Sequence, residues 1–167
     1  QIYIESSLEN LNQNVEVMNS ELQQLVRWCE RHGLTINPKK CVSFIIGSSS
    51  RLAKLNNLNN TKDVILDGQP IVYEKEVKSL GIYIDSILGW DCQISKLTGK
   101  FFGGLYQLKS LANCFPIHVK AQLVQSLLFP LLDYAKLAYC DLTLEKRNVL
   151  QRAQNSSIRF IFNLKPD

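Results

Sequence analysis

The hydrophobic period of this chain changes once, at Trp90, and that change limits the folds open to it. Before Trp90 a long helical stripe is bracketed by short alternating stretches; after it, apolar residues recur only at helical spacing. The expected fold class is therefore α+β: a helix lying on short antiparallel strands over residues 1–88, then an all-α bundle of three or four helices over residues 89–167. No internal repeat breaks this plan.

In the first part Leu8, Leu11, Val15, Met18, Leu22, Leu25 and Cys29 recur at steps of three and four, predicting a helix over residues 8–32. Ser6 and Glu9 have capping-box spacing, and Gly33 is its stop. Strands are expected at Gln1–Ile4 and Cys41–Ile46, with a polar, mobile loop from Ser48 to Lys62. Val64-Ile65-Leu66, Asp67-Gly68 and Ile71-Val72-Tyr73 form a hairpin pattern, and Val77–Asp85 a further strand. In the second part Ile94, Leu97, Phe101, Leu105 and Leu108 line a helix ending near Asn113. Pro116 stands in the first turn of the next, before Val119, Leu123 and Leu127, and Pro130 breaks or kinks the segment Leu131–Tyr139. A last helix, Leu142–Leu164, presents Leu150, Ala153, Ile158 and Ile161 and is closed by Lys165-Pro166.

Composition narrows the function classes. The chain is 46% hydrophobic and 20% charged, as a globular protein is, and no apolar run nears the ~20 residues that span a bilayer. Five scattered cysteines and two distant histidines give no zinc spacing, so the cysteines read as reduced, small hydrophobes of an intracellular protein. The charge is uneven. Residues 1–85 hold nine Lys+Arg against ten Asp+Glu, residues 86–167 ten against five. A basic C-terminal half points to nucleic acid, and a solvated helical surface would carry the same charge.

Three stretches, in order, resemble the reverse transcriptases of non-LTR retrotransposons, the LINE-type elements. Trp28-Cys29-Glu30-Arg31-His32-Gly33-Leu34-Thr35-Ile36-Asn37-Pro38-Lys39-Lys40 is similar to the family's entry into palm motif D. Lys78-Ser79-Leu80-Gly81-Ile82-Tyr83-Ile84-Asp85, with Leu88-Gly89-Trp90, resembles motif E, the primer grip. Leu128-Phe129-Pro130-Leu131-Leu132-Asp133-Tyr134-Ala135 and Leu150-Gln151-Arg152-Ala153-Gln154-Asn155 resemble the helical region beyond the palm. The resemblance covers about residues 20–160. It implies the C-terminal part of a polymerase palm over 1–88 and a thumb-like helical region over 89–167.

By the same resemblance the parent protein is an RNA-directed DNA polymerase acting on an RNA template, a DNA primer and deoxynucleotides, with no membrane partner and a nuclear location. Its Mg²⁺ would be held by paired aspartates upstream of Gln1; this chain has no clustered carboxylates, Asp63, Asp67 and Asp85 reading as surface or turn residues. Lys40 matches the motif D lysine that stands near the phosphates as a general acid, although a solvated lysine before a strand, twin to Lys39, fits equally. Leu80, Gly81 and Ile82 match the primer grip, Gly81 being a strand glycine where another backbone comes close, or a simple bulge. Lys39, Lys96 and Lys100, with Lys109 and Lys120 further on, are candidate phosphate contacts; Lys96 and Lys100 share a helix face and Lys109 fits it poorly. The alternative is a helical module that binds nucleic acid or protein without catalysis.

Overall fold

The computed structural model describes residues 1–58, 61–111, 114–134, 136–139 and 141–164, and its chain is mixed α+β in two compact units. Residues 1–77 and 86–88 form one; residues 78–85 and 89–167 form the other. The boundary thus differs from the expected 88/89 division: residues 78–85 belong with the helices.

In the first unit α1 runs from Leu11 to Arg31 and packs on the hairpin of β2 (Val64–Leu66) and β3 (Gln69–Ile71). Its inward stripe sets Val15, with partly buried Met18, Leu22 and Val26, against Val64, Leu66 and Ile71, and Cys29 further along the helix is buried too. Leu25, expected on that stripe, is 39% exposed, because Val26 takes the inward position one residue on. Ser6 is not the cap: its hydroxyl donates to the Ser7 carbonyl, and the helix begins after Asn10. The other end behaves as expected. Gly33, at φ 69°, donates to the Glu30 carbonyl and Leu34 to the Cys29 carbonyl, satisfying two orphan acceptors. Asp67 and Gly68, both at positive φ, make the tight turn of the hairpin, with Val64 opposite Ile71.

Three further expectations for this unit fail. Gln1–Ile4 is not a strand: these residues carry no regular secondary structure. Cys41–Ile46 shrinks to β1, Ser43–Phe44, which pairs in parallel with β4, Tyr73–Glu74. The supposed loop Ser48–Lys62 contains α2, Ser49–Leu58, because the helix formers Arg51, Leu52, Ala53, Lys54 and Leu55 outweigh the flanking Ser and Asn; Asn59 and Asn60 lie outside the described residues.

The second unit opens with a hairpin rather than one strand. β5 (Glu76–Ser79, leaving the first unit at Val77) turns at Leu80-Gly81 into β6 (Ile82–Asp85). Next, α3 (Asp91–Ser110) buries Ile94, Leu97, Phe101 and Leu105. Its expected end, Asn113, lies outside the described residues. Pro116 caps α4 (Ile117–Leu123) from just outside its first turn. Val124–Leu128 then widens into a π turn, where the Phe129 amide reaches back to the Val124 carbonyl. This is the distortion Pro130 imposes, since its ring cannot sit under the carbonyl four residues before it. Beyond come α5 (Phe129–Asp133), a 3₁₀ turn at Lys136–Tyr139, and α6 (Leu144–Phe162), whose first turn Thr143 caps at the Lys146 amide.

One core joins Phe101, Leu105, Val124, Leu128, Ala153, Phe160 and Ile161; a second joins Trp90, Ile94, Leu97, Tyr139 and Leu142, with Ile82 and Ile84 from the hairpin. Two predicted stripes are rotated by one residue. Lys120, Val124 and Leu128 face inward in place of Val119, Leu123 and Leu127, and Ser157 and Phe160 replace Ile158. Ala135, Cys140 and Lys165-Pro166 fall outside the described residues. No helix of the described residues is long and apolar enough to cross a membrane.

Candidate nucleic-acid interface

The hairpin of the second unit owes its shape to two residues. Leu80 (φ 48°) and Gly81 (φ 87°) both occupy the left-handed region, the signature of a two-residue turn that matches strand twist. Gly81 is therefore a turn glycine, neither strand interior nor bulge. A Cβ there would meet the Tyr134 hydroxyl at 3.2 Å and its Cε1 at 3.3 Å, so the neighbour that Gly81 admits is a tyrosine ring of the chain itself. The Leu80 side chain is 87% exposed at the apex, while Ile82 turns inward to the second core.

Such a turn brings Lys78 across from Tyr83. The Lys78 ammonium lies 5.5 Å from the Tyr83 ring centroid, and the Lys96 ammonium, from α3, lies 5.8 Å from it. Buried Gln93 fixes the same edge, its Oε1 accepting from the Tyr83 amide at 3.0 Å. Asp85 holds the join to α3: its two carboxylate oxygens accept from the Gly89 amide at 2.7 Å and the Trp90 amide at 2.8 Å, at the positive end of that helix. One turn beyond Lys96, exposed Lys100 continues the face. Two glycines flank these lysines on α3, and a Cβ at Gly99 or Gly103 would meet nothing within 4 Å. An interior helix glycine is about 1 kcal/mol worse than alanine, and internal packing gives no reason for either.

The structure brings Lys96 to the hairpin and adds Lys78, Tyr83 and Gln93, which sequence reasoning missed. The available signal was the Leu80-Gly81 pair: read as a turn, it sets Lys78 opposite Tyr83. Lys120 is corrected outright. It is 3% exposed, its ammonium donates to Asn163 Oδ1 at 2.7 Å and lies 5.5 Å from the Phe160 ring centroid, so it supports α4 against α6 and cannot reach a phosphate in solvent. Lys109 is exposed in the last turn of α3.

Lys39 and Lys40 belong to the first unit. They occupy the 3₁₀ turn Pro38–Lys40, started by Asn37, whose Oδ1 accepts from the Lys39 amide at 3.1 Å. The turn leaves both lysines open to solvent.

Among the described residues no three His, Cys, Asp or Glu side chains gather to hold a metal. Asp67 sits in the β2–β3 turn, Asp85 is spent on the two amides before α3, and the Asp63 carbonyl is held by Asn19. These residues do not fit a Mg²⁺ pair, and no step through metal is assigned to them. No protein-family model, curated protein or solved structure matches this chain.

Proposed function

We propose that the chain is part of an RNA-directed DNA polymerase of the non-LTR retrotransposon type, contributing the end of the palm, the primer grip and the thumb. Its own task in that enzyme is to hold the backbone of the template–primer duplex. The observation that carries the reading is the cation pair of Lys78 and Lys96 over Tyr83, on a hairpin whose tip is exposed, with Lys100 one turn further along α3. This hairpin coincides with the stretch that resembles the primer grip. Two ammonium groups beside an aromatic face, next to a helix surface opened by Gly99 and Gly103, suit a sugar-phosphate backbone approaching closely. Lys40 would serve the incoming nucleotide as proton donor or charge stabiliser, with Lys39 beside it. Metal-assisted transfer belongs, in this reading, to carboxylates of the parent protein outside this chain.

The test is the affinity of the chain for an RNA template annealed to a DNA primer, measured across a salt series. Each lost phosphate contact should flatten the slope of log affinity against log salt by about one unit, so the Lys96→Ala/Lys100→Ala pair should flatten it by about two. A slope identical to wild type would return both lysines to ordinary solvated positions.

A further inference from the structure

We infer that Tyr134 is a positioning residue for the hairpin tip, clamping the Leu80-Gly81 turn in the conformation that meets the nucleic acid; this rests on the proposed duplex-holding function. Leucine in the left-handed region is strained, as its Cβ crowds the following carbonyl, typically by about 1 kcal/mol or more. Something outside the turn must favour that conformation. The Tyr134 hydroxyl donates to the Leu80 carbonyl, and its ring fills the space over Gly81 that a Cβ would occupy. Tyr134 is itself anchored. Its carbonyl accepts from the hydroxyl of buried Tyr139 at 2.9 Å, and Tyr139 packs against Trp90 in the second core. From the other side, buried Gln93 accepts from the Tyr83 amide at 3.0 Å. The hairpin is therefore held at its tip by Tyr134, itself rooted in Tyr139, and along its second strand by Gln93. Tyr134 touches the turn itself, so it acts on the duplex through the shape of the tip.

Positioning and contact leave different traces, and salt separates them. With a fluorescent primed RNA–DNA duplex as probe, Tyr134→Phe should weaken affinity about five-fold, the worth of one net hydrogen bond of ~1 kcal/mol. The salt slope should stay at the wild-type value, because no phosphate contact is removed. Amide hydrogen exchange across residues 80–82 should quicken in the free protein. Rescue tests the same point: Leu80→Asn creates the sequence most favoured in this turn, so adding Tyr134→Phe to that background should change affinity less than two-fold. Failure of the wild-type chain to bind the duplex would sink the nucleic-acid reading and this inference together. Wild-type binding matched by Tyr134→Phe, or a loss that persists undiminished in the Leu80→Asn background, would overturn the clamp alone.

Discussion

Lysine at position 120 shows how burial changes the meaning of a residue. Its four-carbon stem lies within the α4–α6 contact while its ammonium finds Asn163 and the Phe160 face. Lys120→Ala should therefore destabilise the fold by about 2 kcal/mol, as truncation of a buried stem does, and leave the salt slope of duplex binding untouched. Urea unfolding checks the first effect and the salt series the second; a flattened slope at unchanged stability would make Lys120 a surface contact after all. In sequence Lys96, Lys100 and Lys120 look alike, since helical spacing states which residues share a face and not which face meets the core. What distinguishes Lys120 is non-local: Asn163 lies 43 positions away. Tyr134 is hidden for the same reason, its partner Leu80 being 54 positions back. The Leu80-Gly81 turn had a local signal, a glycine beside the strand end, that alternation masked, whereas Tyr134 and the burial of Lys120 left no local signal because the partner came from a distant element.

At the scale of elements, α3 poses three glycines that its sequence does not tell apart. Gly104 faces the first core, where an added Cβ would come 2.9 Å from Leu128 Cδ2, and Leu128 is too buried to move aside cheaply. Gly99 and Gly103 face open space. Alanine at either should stabilise the helix by up to ~1 kcal/mol, whereas Gly104→Ala should lose that gain to overpacking and come out destabilising by about 1 kcal/mol. Thermal unfolding of the three variants decides it; a rise for Gly104→Ala would mean the core yields more easily than its packing suggests. If the open face also admits a duplex, Gly99→Ala and Gly103→Ala should gain stability and lose affinity together. The elements themselves were well marked where periodicity ran long. α1 and α3 were legible in their spacing, and the β2–β3 hairpin in Asp67-Gly68. Misread elements were short or polar: α2 hid behind Ser and Asn, and Val77–Asp85 passed for one strand because alternation continues through a tight turn.

Across the whole molecule, each unit contains a tyrosine whose ionisation links stability to pH. In the first unit Tyr73, donating to the Lys62 carbonyl at 3.0 Å, has its pKa raised, mainly by burial and further by the Asp63 carboxylate. In the second, burial raises the pKa of Tyr139; a hydrogen bond with Gln93 opposes the rise and the Asp133 carboxylate adds to it. In both cases the folded chain favours the neutral phenol more than the unfolded chain does. Below the ordinary tyrosine value of about 10 both states are protonated, and the contribution is fully present. As pH climbs from there through the raised folded values, the unfolded chain releases protons first and stability falls. Tyr139 carries the larger consequence, because a phenolate can no longer donate to the Tyr134 carbonyl and would lie buried beside Trp90. The two tryptophans make the units separately readable: Trp28→Phe leaves Trp90, 6.0 Å from the Tyr139 ring, as the sole indole. Urea midpoints followed by Trp90 emission should hold steady from pH 8 to about 10 and drop above it. Tyr139→Phe, which cannot ionise, should start from a lower midpoint, having lost its hydrogen bond, and then fall less steeply with pH. Equal alkaline slopes in the two proteins would show that Tyr139 does not govern the alkaline limit of the second unit.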